Sequence, residues 1–113
     1  MKHALVVDDD PSLSKLVVEW MSAAGYAVES AANFGAAKLK INPRLDVLIV
    51  DVRLEAFNGL QLAIQARSIV PTMRIVVISG WDDAVVRAEA TSIGAVFLSK
   101  PFNEEQLLRV IGE

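Results

Sequence analysis

A chain of 113 residues suits one compact domain and leaves no room for two. Its composition is 53% hydrophobic with a mean hydropathy of +0.40, as a sheet covered on both faces would give, yet no apolar stretch approaches the roughly 20 residues of a membrane span. The formal charge of −3 gives no electrostatic case for nucleic-acid binding by this segment, and zero cysteines excludes disulfides and thiolate metal sites.

The start, Met1-Lys2-His3, runs straight into an apolar segment with no signal-peptide pattern, so a cytoplasmic location is the expectation. His3 is the single histidine and reads as an exposed terminal residue, and one histidine cannot form a zinc site of the common kinds. Ala4–Val7 is the first strand. Asp10-Pro11 is a helix start, an N-cap side chain followed by proline at the first helical position. Leu13, Leu16, Val17, Trp20 and Met21 follow at helical spacing, with Trp20 and Met21 expected in the core, and Ala24-Gly25 closes the helix. Tyr26–Ser30 is mixed, as an edge strand would be. A second helix is predicted from about Asn33 to Ile41, ended by Asn42-Pro43.

Val47–Val50 is the third strand. A third helix starts near Gly59, carries Leu60, Leu62, Ala63 and Ala66, and stops at Pro71. Ile75–Ile78 is the fourth strand, and a helix over about Asp83–Ser92 ends at Gly94. Ala95–Ser99 is a weaker fifth strand. The last helix follows Asn103, an N-cap with Gln106 three residues on, and carries Leu107, Leu108 and Ile111. Uninterrupted Val/Ile runs read as strands buried on both faces, hence parallel. Five βα units with right-handed crossovers give an open parallel sheet with helices on both sides, one α/β domain over residues 1–113.

In such sheets the ligand site lies at the carboxyl ends of the strands. There the first strand ends in Asp8-Asp9-Asp10, the third in Asp51, the fourth in Ser79-Gly80 and the fifth in Ser99-Lys100-Pro101. Asp8, Asp9 and Asp51 in proximity would raise one another's pKa unless a cation offsets the repulsion. Oxygen-only ligands favour Mg²⁺ over Zn²⁺, and Mg²⁺ commonly bridges a carboxylate to a phosphate. Lys100 suits a phosphoryl oxygen, Ser79 supplies a donor, and Asp51 can act as a nucleophile toward phosphorus. The N-cap role of Asp10 explains that residue fully and leaves it out of the metal site.

These residues resemble the receiver domain of a two-component response regulator. The resemblance covers the whole chain. It rests on Val6-Val7-Asp8-Asp9-Asp10-Pro11, on Asp51 with Gly59 eight residues later, on Ser79-Gly80, and on Lys100-Pro101-Phe102. It implies a flavodoxin-like doubly wound (βα)5 fold with strand order 2-1-3-4-5. It implies that Asp51 is the phosphoacceptor, served by a sensor histidine kinase or a phosphotransfer protein. Asp9 and Asp51 would be direct Mg²⁺ ligands, the backbone carbonyl of Arg53 a third, and Asp8 an outer-sphere one. Ser79 would be the switch hydroxyl, Lys100 the partner of the phosphoryl oxygen and Phe97 the switch aromatic, with a cis bond before Pro101.

Four positions depart from the common pattern or add to it. Glu55 stands where the family commonly has proline, and Phe97 lacks the hydroxyl of members that carry tyrosine. Arg53 and Trp81 lie two residues beyond Asp51 and Ser79, at positions that by the resemblance flank the path of an attacking water, and are expected to shield the phosphoryl group.

The function implied is a phosphorylation-controlled switch whose output face is the fourth helix, fifth strand and fifth helix, a possible homodimer surface. Its only catalysis would be self-phosphorylation and self-dephosphorylation at Asp51, with no membrane or direct nucleic-acid contact. A phosphorylation-independent pseudo-receiver is the alternative, though no acid or lysine is lost. A phosphoaspartate hydrolase usually needs an acid where Arg53 stands, and a dinucleotide-binding domain needs a glycine-rich turn after the first strand. The chain ends at Gly112-Glu113, early in a helix with room to continue. That is compatible with a stand-alone receiver or with the N-terminal part of a larger regulator.

Overall fold

Residues Val47–Asp51 are buried at every position, because helices cover both faces of that strand. In the computed structural model the described residues are all but Glu55, Ala56, Asp82 and Glu113, so the features noted above at Glu55 and Glu113 lie outside them. The order is β1 (His3–Val7), α1 (Pro11–Ala23), β2 (Ala27–Ala31), α2 (Phe34–Lys38), β3 (Val47–Asp51), α3 (Gly59–Ile69), β4 (Arg74–Ser79), α4 (Ala84–Ser92), β5 (Val96–Ser99) and α5 (Glu104–Gly112). The five strands form one parallel sheet in the order β2-β1-β3-β4-β5, the 2-1-3-4-5 arrangement expected of a flavodoxin-like fold.

Side chains alternate across the sheet with period two. Leu5, Val7, Leu48, Val50, Ile75 and Val77 pack with Ala37, Ala63, Ala66 and Ala90 from α2, α3 and α4. Ala4, Val6, Ile49, Val76 and Ile78 pack with Val17, Met21, Leu107 and Ile111 from α1 and α5. Each fully buried aliphatic side chain contributes roughly 1.5–3 kcal/mol, so the two-faced core dominates stability.

The helix starts follow the local chemistry. Asp10 accepts from the Ser12 and Leu13 N–H groups ahead of Pro11. Asn103 and Gln106 bond reciprocally, 2.8 and 2.9 Å, as a capping box. Gly25, which closes α1, has φ +98°, a conformation costly for any residue with a Cβ.

Three features differ from expectation. α2 stops at Lys38 instead of Ile41. The Lys40 N–H bonds back to Ala37, and the Asn42 side chain donates to the Lys40 carbonyl and accepts from the Arg44 N–H, turning the chain early. Leu39 is left 87% exposed. Met21 is in the core, but Trp20 is half-buried at its rim, edge-on to Phe102 at 6.3 Å. A short antiparallel ladder, Arg53–Leu54 against Phe57–Asn58, follows β3. Among the described residues no helix is long and apolar enough to cross a membrane.

Candidate functional site

Parallel pairing in register brings the strand ends to one rim. Asp51 pairs with Ile78, and Ser79 with Ser99. Asp8 follows β1 directly, Asp51 ends β3, Ser79 ends β4 and Lys100 follows β5. Asp8, Asp51 and Ser79 are buried polar residues, while Asp9 is exposed. Carboxylate oxygens of Asp8, Asp9 and Asp51 lie within 4.8 Å of one another.

Lys100 Nζ donates to Asp51 Oδ2 at 2.8 Å and stands 3.3 Å from Asp8 Oδ2. Asp8 Oδ1 accepts the Asp10 N–H, and Asp51 Oδ1 accepts the Arg53 N–H. Asp8 Oδ2 has only the ion-pair contact and no hydrogen bond, although it is buried. Lys100 thus contacts two of the three clustered carboxylates, and one buried carboxylate oxygen is under-satisfied. An all-oxygen donor set of this kind fits a hard divalent cation.

Burial pushes the Asp8 carboxyl above its ordinary value. The Asp10 N–H opposes that shift, the Asp51 charge adds to it, and Lys100 opposes it. Burial pulls the Lys100 ammonium down, but its bond to Asp51 and the charges of Asp51 and Asp8 outweigh burial and leave it above its ordinary value. The two shifts act oppositely on stability. Lys100 contributes stability that is present below the ordinary lysine range and lost as pH rises through its raised pKa. Asp8 costs stability above its raised pKa, a cost that disappears as pH falls below about 4. In EDTA at pH 7, Asp8→Asn should therefore raise stability by roughly 1 kcal/mol. At about pH 3.5, where the wild-type carboxyl is protonated, the gain should vanish. A divalent cation held by the cluster should stabilise the wild type more than the variant. Thermal unfolding under these conditions checks all three, and a pH-independent difference would contradict the assignment of the cost to the Asp8 charge.

The remaining predicted residues surround this cluster. Ser79 Oγ accepts the Trp81 N–H at 3.1 Å, and the Lys100 N–H donates to the Ser79 carbonyl. The Lys100–Pro101 peptide is cis. The Arg53 guanidinium lies over the exposed Trp81 ring, 4.9 Å from its centroid. Both border a cavity of about 470 Å³ that Ser79 also lines. Phe97 is half-buried on β5, with the Arg87 guanidinium 4.4 Å from its ring centroid. Sequence reasoning did not foresee the Arg87–Phe97 or Arg53–Trp81 contacts, nor the ladder after β3.

Gly59 explains how the loop after Asp51 fits. Its N–H donates to the Val52 carbonyl at 2.7 Å, and a Cβ there would collide with the backbone carbonyl of Asp51.

Comparison with known proteins agrees with this geometry. The family described as "Response regulator receiver domain" matches residues 4–112. Transcriptional regulatory protein GlrR of Escherichia coli (strain K12) is 31% identical over 98% of this chain, which spans only 26% of that relative's length. A receiver domain protein from Methanospirillum hungatei JF-1 superimposes with a TM-score of 0.92 at 27% identity, covering 99% of this chain and 91% of that one. A response regulator from Burkholderia pseudomallei, solved with a phosphorylated aspartic acid, a calcium ion and citrate, superimposes with a TM-score of 0.90 at 28% identity over 98% of this chain and 66% of that one. With acids, hydroxyl and lysine gathered on the expected rim of the expected sheet, this chain belongs to the response regulator receiver domain family of two-component signalling.

Proposed function

We propose that residues 1–113 act as a single receiver unit, a switch in which Asp51 accepts a phosphoryl group from a sensor histidine kinase or phosphotransfer protein. The supporting observation is the Asp51 carboxylate held at 2.8 Å by Lys100, with Asp8 and Asp9 oxygens within 4.8 Å. An Asp51 oxygen attacks phosphorus as the phosphorus–nitrogen bond of phosphohistidine breaks, leaving imidazole and an acyl phosphate. Lys100 then pairs with a phosphoryl oxygen and Ser79 donates its hydroxyl to another. Asp8, Asp9, Asp51 and the Arg53 carbonyl would hold Mg²⁺. Bound there, the ion supplies positive charge to the transferring group.

This unit is not a conventional enzyme: its chemistry is gain and loss of its own phosphoryl group. Movement of Ser79 toward that group would let Phe97 turn inward, away from Arg87, and reshape α4, β5 and α5. That face would be the output and possible homodimer surface. Signalling of this kind takes place in the cytoplasm, without membrane or direct nucleic-acid contact by this domain.

The test is incubation with acetyl phosphate and Mg²⁺, read by intact mass. Gain of one phosphoryl group supports the switch. No gain and no Mg²⁺ affinity support a phosphorylation-independent interaction module instead. Once labelled, Arg53→Ala and Trp81→Ala should each lose phosphate several-fold faster than the wild type, because removing either side chain opens the path of water to Asp51. Unchanged decay rates would sink the shielding role.

A further inference from the structure

The loop that carries Arg53 is built as a small hairpin. Arg53 pairs with Asn58 and Leu54 with Phe57, and the Gly59 N–H closes it onto Val52. Leu54 anchors one side in the core at 1% exposure, and Asn58 caps α3 by accepting the Leu60 N–H. Phe57, the ladder partner of Leu54, stays at the surface. It is 53% exposed, and its ring stacks on half-buried Phe34 with centroids 5.1 Å apart and planes 20° apart.

A large aromatic left half in water is usually without consequence, but this one has a defined partner outside its own element. Phe34 is the first residue of α2, a helix of only five residues that cannot be stable alone. The stack therefore joins two weak elements, the hairpin and α2, beside the acidic cluster. The backbone of Arg53 is tied to Asp51 Oδ1, so any drift of the hairpin moves both the Arg53 carbonyl and the Asp51 carboxylate.

We propose that the Phe34–Phe57 stack is a positioning device for the metal site, bracing the hairpin so that Asp51 and the Arg53 carbonyl meet a divalent cation in one geometry. This rests on the proposed Mg²⁺ site. Neither ring touches the ion; both act through the hairpin backbone. Metal binding and α2 order are then coupled, because each stabilises the element that the stack connects.

The experiment is an Mg²⁺ titration followed by amide NMR on the wild type, Phe57→Leu, Phe34→Leu and the double variant. Thermal unfolding of each metal-free protein is measured alongside. Loss of the ring pair should weaken Mg²⁺ binding about three- to tenfold. The double variant should bind no more weakly than either single one, since both remove the same contact. Phe57→Tyr should restore affinity. Mg²⁺ should slow amide exchange in α2 of the wild type and not of Phe34→Leu, which leaves the hairpin sequence intact. Wild-type affinity in the Leu variants, or additive losses, would overturn the proposal. A wild type that binds no Mg²⁺ would overturn the metal site itself, and this inference with it.

Discussion

Asp51→Ala should gain no phosphoryl group from acetyl phosphate and Mg²⁺ under conditions where the wild type gains one. The expected effect is complete because, among the described residues, no other carboxylate holds the Lys100 hydrogen bond. Asp51 accepts the Lys100 hydrogen bond at 2.8 Å, whereas Asp8 has only the 3.3 Å ion-pair contact and Asp9 is exposed. Loss of labelling should not reflect loss of fold. Removing the Asp51 charge relieves the repulsion that helps to raise the Asp8 pKa, and Lys100 retains Asp8 at 3.3 Å as a partner. Lys100→Ala is the graded companion. It keeps the nucleophile but removes a preformed cation aimed at developing charge, so labelling should slow roughly 10²–10³-fold. Intact mass against time checks both, and a phosphoryl gain in Asp51→Ala would move the acceptor to another acid.

Gly59→Ala should be the most damaging substitution of a single small residue for another. The added methyl would meet the Asp51 backbone carbonyl and carbon and the Val50 side chain, and the first two cannot swing aside as a flexible chain end could. Gly59 is also the first residue of α3, and its N–H is bonded to Val52, so relief requires the start of α3 to pull away from β3. Overpacking costs up to about 3 kcal/mol in typical cores, and backbone contact puts this site at the upper end. The thermal midpoint should fall by on the order of 10 °C. Asp51 moves with that carbonyl, so Mg²⁺ affinity should fall as well. Gly112→Ala, which meets open space, should do neither.

The strands and most helix ends were legible because their causes are local. Val and Ile runs mark strands covered on both faces, and Asp10-Pro11 and Asn103 with Gln106 are caps whose bonds form within three residues. The failure at α2 was also local in origin: the apolar spacing extended to Ile41, but the Asn42 side chain captured the backbone first. Trp20 shows the limit of periodicity, which reports a helix face but not whether that face meets the core or its rim.

By itself the sequence determined the five βα units, their capping, and which acids, hydroxyl and lysine stand at the ends of four of the five strands, because period and cap chemistry act over a few residues. Strand order and the roles of those residues came from family resemblance. Only the tertiary structure decided what meets across elements. Lys100 reaches Asp51 across 49 positions, and Arg53 lies over Trp81, Arg87 over Phe97 and Phe57 on Phe34. Arg67 likewise binds carbonyls of Pro71, Met73, Ile93 and Gly94, tying the end of α3 to the end of α4. Such contacts depend on sheet register and helix placement, which the packing of the whole core sets and no short pattern encodes.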